Sequence, residues 1–532
     1  MKLTKEGIKD QKSYQEAGIT LPAYDVAALA KNTVENPRWM HFGIGNIFRI
    51  FIGGIADKLI HEKAMESGIT CVETFDFDVV DKIYHPYDNL VLGVTLNSDG
   101  STDKRVLGSL GEALTSQAED FIRLKKIARK KELEMFSFTI TEKGYALKNS
   151  DNQYFPWVQA DIDKGPEAAT GVMAVITALL WERFLAGELP IAVVSMDNCS
   201  HNGEILQGSV LTMAKEWQEK GFVSAQFLAY LNNESKVAFP WSMIDKITPR
   251  PADSVAKELE ELGMEEMNPI ITSKNTYIAP FVNAEGPQYL VVEDKFPNGR
   301  PEFEKAGVYM TDRDTVNKVE RMKVTTCLNP LHTALAVYGC LLGYDLISKE
   351  MKDENLKKLI HKIGPEEGMK VVTDPGILSP KDFVDEVINV RFPNPFMPDT
   401  PQRIATDTSQ KVGIRFGETI KSYVAAEGSA KSLVGIPLAI AGWCRYLLGV
   451  DDNLESFERS SDPLLEELTK MLAGVEAGKP ETYTGQLKPI LANEKIFGSD
   501  LYKAGLGEKI ETMFVELLAG KGAVVATLEK YL

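Results

Sequence analysis

The segment KVTTCLNPLH (323–332) brings a lysine, an asparagine and a histidine into one short stretch of an otherwise apolar run. Oxidising an alcohol by hydride transfer requires something to take the hydroxyl proton. Lys323 is a candidate, because an amine withdrawn from water gives up its own proton more readily and can then act as a base. Asn329 and His332 stand three apart and share one face of a helix start, where an amide can hold a developing alkoxide oxygen. Taken alone, the same residues also fit a helix-end lysine, a cap and a core histidine. Cys327, four residues after Lys323, offers a different chemistry, that of a nucleophilic thiol.

Polar residues break apolar runs at two other places. DNCSHNG (197–203) follows the strand-like IAVVSM (191–196), and ligands of open α/β sheets sit at the C-terminal ends of strands. Asn198 is therefore a candidate, with a plain polar turn as the alternative. Asp245 lies among apolar residues in FPWSMIDKITPR (239–250), where a salt bridge to Lys246 or a cap would also account for it.

In HFGIGNIFR (41–49), Gly43 and Gly45 mark a turn from strand to helix. Glycines are needed there when a pyrophosphate must approach the backbone at the positive end of a helix. Phe48 stands where the third glycine of the usual fingerprint would be, and a lone G-x-G is weak evidence. Asp76 and Asp78, closing the next strand-like run, add weight. An acid at that place accepts ribose hydroxyls and repels the extra phosphate of NADP, which predicts NAD as the cofactor. None of the six histidines has metal-ligand spacing and no G-x-S-x-G elbow occurs, so a metal-independent reaction is expected.

These groups need a scaffold. Residues 69–75, 90–96, 135–140 and 191–196 read as strands, and 47–64 and 168–185 as helices, an alternation that predicts a parallel sheet covered by helices. Beyond about residue 315 strand-like runs become scarce, while 316–342, 421–448, 462–472 and 507–532 carry helical spacing. The expected architecture is α/β, with a Rossmann-like parallel-sheet N-terminal domain (1–308) followed by a mostly α-helical C-terminal domain (309–532).

At 532 residues, with 44% hydrophobic and 25% charged residues, the chain has the composition of a folded protein of two domains. A net charge of -17 would repel phosphate backbones, so a small molecule is the expected partner and nucleic acid is not. Five scattered cysteines read as buried apolar residues in a reducing compartment. The first residues lack the apolar core of a signal peptide, and no apolar span of about 20 residues could cross a bilayer, so neither a membrane nor export is expected. The cytoplasm is the expected location.

Together these stretches resemble the polyol-specific long-chain dehydrogenases, the group of mannitol dehydrogenase, fructuronate reductase and tagaturonate reductase. The resemblance runs from about His41 to Arg415. It is carried in order by HFGIGNIFR, TEKGY (141–145), MDNCSHNG (196–203), FPWSMIDKITP (239–249), EDKFPNGRP (293–301), NPLHTALA (329–336), RFPNPF (391–396) and IATDTSQK (404–411). It implies an NAD-binding Rossmann-like domain, a helical substrate-binding domain, and a catalytic lysine working without zinc. On the matching positions Lys323 would be the general acid/base, and Asn198 and Asn329 would position the reacting oxygen. Asp245 and His332, with Asn329, would bind or orient substrate hydroxyls. Gly43, Gly45, Asn46 and Arg49 would cradle the cofactor, with Asn198 beside it.

The chain departs from the pattern twice. The family's lysine and asparagine are usually one step closer than the six steps from Lys323 to Asn329. Mannitol dehydrogenases also carry basic residues and a histidine after the RF-NP motif, where this chain has Met397-Pro398-Asp399-Thr400. The wording around Asn329 is nearer the hexuronate members, which implies D-mannonate/D-fructuronate ahead of altronate/tagaturonate or mannitol. A non-enzymatic NAD-binding sensor is the alternative of a different class.

Overall fold

The computed structural model describes residues Met1–Leu532. Six strands form its principal sheet: β1 (Trp39–Phe42), β2 (Ile69–Glu73), β3 (Leu110–Thr115), β4 (Met135–Phe138), β5 (Ile191–Ser195) and β6 (Val237–Ala238). Their spatial order is β3-β2-β1-β4-β5-β6, and every pairing is parallel. The order reverses between β1 and β4, the switch point at which doubly wound sheets receive dinucleotides.

The strands are largely apolar because both faces are covered. Met40, Phe42, Phe136, Phe138, Ile191 and Val193 pack on one face with residues of the helices Ala118–Ala128, Val172–Leu185 and Asn202–Glu219. Trp39, Ile69, Cys71, Met135, Ala192 and Val194 pack on the other with Gly53–His61. Alternation along each strand assigns the two sets.

The strand-like run at 90–96 forms Val91–Leu96 but does not join this sheet. It pairs antiparallel with Thr102–Leu107 and parallel with Phe281–Glu285, in a separate sheet. The reason is local: the Asn-Ser-Asp-Gly turn folds the chain straight back, and a hairpin is antiparallel by construction.

The chain forms two compact units, Met1–Asn97 with Ser101–Asn317, and essentially Lys318–Leu532. The division falls inside the helix Arg313–Met322, later than the sequence boundary of 309. The strand Tyr309–Thr311 explains the difference, since it pairs with Tyr289–Glu293 of the first unit. In the second unit the helical run at 421–448 is broken at Gly428, where φ is 76°, into Glu418–Glu427 and Gly435–Tyr446. The latter has no cap of its own. Instead the buried carboxylate of Glu367 accepts from the N–H groups of Val434, Gly435 and Ile436, placing negative charge at the positive end of the helix. No helix is long and apolar enough to cross a membrane.

One buried group works against stability. Glu350 is fully buried, and neither carboxyl oxygen has a hydrogen-bond partner. Its side chain fills the gap left by Gly339, where an added Cβ would lie 2.1 Å from Oε1. Burial, reinforced by Asp353, holds its pKa well above the ordinary 4.5. A folded-state pKa above the unfolded value means that stability present below about pH 4.5 is lost as pH rises toward the folded value. Glu350→Met should therefore stabilise the protein by about 1–3 kcal/mol near pH 8, and by clearly less near pH 5. Denaturant melts of both proteins at the two pH values check this; an equal gain at both would show that ionisation plays no part.

Candidate active site

The turn after β1 is built for a close approach to its backbone. Gly43 has a φ of 82°, and a Cβ there would lie 2.3 Å from the carbonyl oxygen of Thr139, so only glycine fits. Gly45 differs: an added Cβ would meet nothing within 4 Å, which leaves the backbone open on the side where a phosphate group can reach it. A π turn, Phe48–Ile52, follows and leads into the helix Gly53–His61. Asn46 is the first helical residue after the turn, partly exposed.

Three sequence candidates are engaged elsewhere. The Arg49 guanidinium is buried and donates to the carbonyls of Ala279 and Pro280, at 2.8 Å each, so it braces the turn from within and does not face a ligand. The buried Asp76 accepts from the Thr272 hydroxyl at 2.6 Å. Asp78 is held by Lys82 at 2.9 Å and by the Ser273 N–H at 2.8 Å. The acid that ends β2 is Glu73. One of its oxygens accepts from the N–H groups of Thr74, Phe75 and Asp76, and the other faces the Ile44 N–H at 3.4 Å. The sequence signal was present in VETFDFD, but the strand end falls at Glu73 and not at the two aspartates.

The turn after β5 is fastened by Asn202 and Asp197. The buried Asn202 amide donates to the carbonyls of Ser195 and Asp197 and to the Ser242 hydroxyl, and accepts from the Ser242 N–H. Asp197 accepts from the N–H groups of Ile140 and Thr141 and from the Tyr145 hydroxyl. These bonds tie the ends of β4 and β5 together and leave Asn198 exposed at the tip of its turn. Asp245, buried, ends the strand Ser242–Asp245, whose first residue the same Asn202 holds.

In the second unit, Lys323 is buried and begins a π turn, Lys323–Cys327, which closes with a 3.1 Å bond from the Leu328 N–H to the Lys323 carbonyl. A π turn holds one residue more than an α turn, so the additional step between Lys323 and Asn329 is absorbed within the helix. Asn329 opens the next helix, Asn329–Leu342. Cys327 is buried within the turn, and burial pushes its thiol up to about 12, which makes it an inert group and not a nucleophile. No group of three or more His, Cys, Asp or Glu side chains is placed to hold a metal ion.

The known proteins that match agree with this anatomy. The Rossmann-domain model of mannitol dehydrogenase matches residues 37–305, and the mannitol dehydrogenase C-terminal-domain model matches 315–518. The chain belongs to the mannitol dehydrogenase family. It is 51% identical to the D-mannonate oxidoreductase of Thermotoga maritima, over 100% of this chain and 99% of that protein. Among solved structures, a substrate-free D-sorbitol dehydrogenase matches with a TM-score of 0.78 and 25% identity, covering 96% of this chain and 98% of that one. A Pseudomonas fluorescens mannitol 2-dehydrogenase, in ternary complex with NAD and D-mannitol, matches with a TM-score of 0.69 and 26% identity over 100% and 99%. This mannitol dehydrogenase relative is an oxidoreductase.

His332 stands among charged groups. Its Nε2 lies 3.5 Å from Asp399, a residue of the departing segment 397–400. Burial lowers the imidazole pKa, opposed by Asp399. Arg403 pairs with the same Asp399. The Arg415 guanidinium donates at 2.6 Å to the hydroxyl of Thr333, a neutral partner. Burial lowers its pKa to about 10, which leaves it a cation at neutral pH. Lys411 donates to the Thr406 carbonyl, and its pKa is lowered by burial and then by Arg415. Neither Arg415 nor Lys411 is among the candidates that the sequence offers, although both fall within the resemblance.

Proposed function

We propose that the chain interconverts D-mannonate and D-fructuronate with NAD and without a metal. The observation that carries the choice of a sugar acid is the cationic group beside His332. Arg415 keeps its charge with only a hydroxyl for a partner, and Lys411 crowds it with a second positive charge. A guanidinium placed in this way is suited to a carboxylate, with which it can form charge-assisted hydrogen bonds. A neutral polyol would leave that charge unanswered.

Gly43 and Gly45 would hold the pyrophosphate at the switch point, with Asn46 beside them. Glu73 takes the role first given to Asp76 and Asp78: a carboxylate at the end of β2 accepts ribose hydroxyls and disfavours a phosphate there. When bound, the nicotinamide supplies the hydride chemistry. The remaining work falls to side chains at the family's motif positions. The Lys323 amine takes the hydroxyl proton in oxidation and returns it in reduction. The amides of Asn198 and Asn329 hold the oxygen whose charge changes, while Asp245 and His332 orient neighbouring hydroxyls.

A single panel tests this reading. With D-fructuronate, D-tagaturonate and D-fructose, NADH consumption should be fastest on D-fructuronate, unaffected by excess chelator, and slower with NADPH. Preference for D-fructose would make the enzyme a polyol 2-dehydrogenase, and preference for D-tagaturonate would assign the other epimer. Loss of turnover with chelator, restored by zinc, would overturn the metal-free mechanism.

A further inference from the structure

On the second face of the principal sheet a row of polar side chains runs through apolar packing. Trp39, His41 and Gly43 follow one another at alternate positions of β1 and the turn beyond it. Ser137, on β4, and Thr139, just beyond its end, do the same, with His41 directly opposite Ser137. His41 and Ser137 are fully buried, and the imidazole is stacked on Phe48 with ring centroids 4.1 Å apart. The contacts are continuous. Trp39 Nε1 lies 2.7 Å from Ser137 Oγ, and Ser137 Oγ 2.6 Å from His41 Nδ1. His41 Nε2 lies 2.9 Å from Thr139 Oγ1, and Thr139 Oγ1 2.7 Å from the Gly43 carbonyl oxygen.

The two ends of this row determine every proton in it. An indole N–H can only donate and a carbonyl can only accept. The Thr139 hydroxyl therefore spends its proton on Gly43 and accepts from His41, which makes Nε2 the protonated nitrogen. Nδ1 of the neutral ring is then an acceptor, and the Ser137 hydroxyl, which accepts from Trp39, donates to it. A cationic ring would leave the Ser137 proton without an acceptor, and its charge would be buried among apolar groups.

We propose that His41, held as the neutral Nε2–H tautomer, is a positioning residue for the nucleotide-binding turn. It acts through Thr139 on one peptide plane. The Gly43 carbonyl is drawn to Thr139, and because a trans peptide points its N–H the opposite way, the Ile44 N–H is presented to the Glu73 carboxylate. The relay thus fixes the peptide between the two glycines and, through it, the acid at the end of β2. This role rests on the reading that a dinucleotide occupies the turn.

Thr139→Val removes one hydroxyl at nearly constant shape. NADH titration, followed by fluorescence, should show a Kd raised about tenfold or more, with Thr139→Ser restoring it. The effect on KM for NADH should exceed the effect on kcat, a split that general destabilisation would not produce. In wild-type protein labelled with ¹⁵N-histidine, the His41 resonances should report a proton on Nε2 only, unchanged between about pH 6 and 8. A wild-type Kd in Thr139→Val, or a proton on Nδ1 at neutral pH, would overturn the proposal while leaving the dehydrogenase reading intact. Failure of the wild-type protein to bind NADH would remove both.

Discussion

Lys323→Ala is expected to lower turnover in both directions by about 10²–10⁴-fold, the usual contribution of a positioned general acid or base, while NADH still binds. The reaction needs an acceptor for the hydroxyl proton. The nearest alternative on the same turn, Cys327, is buried with its thiol pushed up to about 12. The loss should appear in both oxidation and reduction, because the same group takes the proton in one direction and returns it in the other. Steady-state rates with D-mannonate and D-fructuronate, together with NADH titration of the variant, check the prediction. Near wild-type turnover would place the base elsewhere, and His332 would be the next residue to replace.

Arg415→Met is expected to raise KM for D-fructuronate by about 10- to 100-fold, the range lost when a charge-assisted hydrogen bond to a ligand is removed. The guanidinium has only the Thr333 hydroxyl as a partner, so its removal strands no buried carboxylate. The loss should therefore appear in binding of the acidic substrate and not in folding. Any slow turnover of D-fructose, which has no carboxylate, should change far less. The ratio of kcat/KM values for the two substrates isolates the effect. An equal loss on both would mean that Arg415 supports the fold around Thr333 and does not read the substrate's charge.

Several elements of this protein were legible from composition and spacing. The apolar runs at 135–140 and 191–196 became β4 and β5, since a strand buried on both faces is largely apolar. The glycine at 43 marked the turn after β1, because its positive φ and the close Thr139 carbonyl are local demands that glycine alone meets. The ordered motifs carried the family, as the matches over 37–305 and 315–518 bear out.

What the sequence left open depended on pairing and burial. Nothing in LVLGVTL says which sheet it joins; the turn behind it and the partner strand Phe281–Glu285 decide that. Nothing in VETFDFD says where β2 stops, or that Thr272 and Ser273, residues distant in the chain, occupy the two aspartates. Arg49 looked like a ligand contact until the carbonyls of Ala279 and Pro280 enclosed it. The sequence alone determined the local conformations and the order of apolar faces, because these follow from each residue and its near neighbours. Only the tertiary structure decided which charges meet an opposite charge and which, like Arg415, meet a hydroxyl, because a charge finds its partner through space and not along the chain.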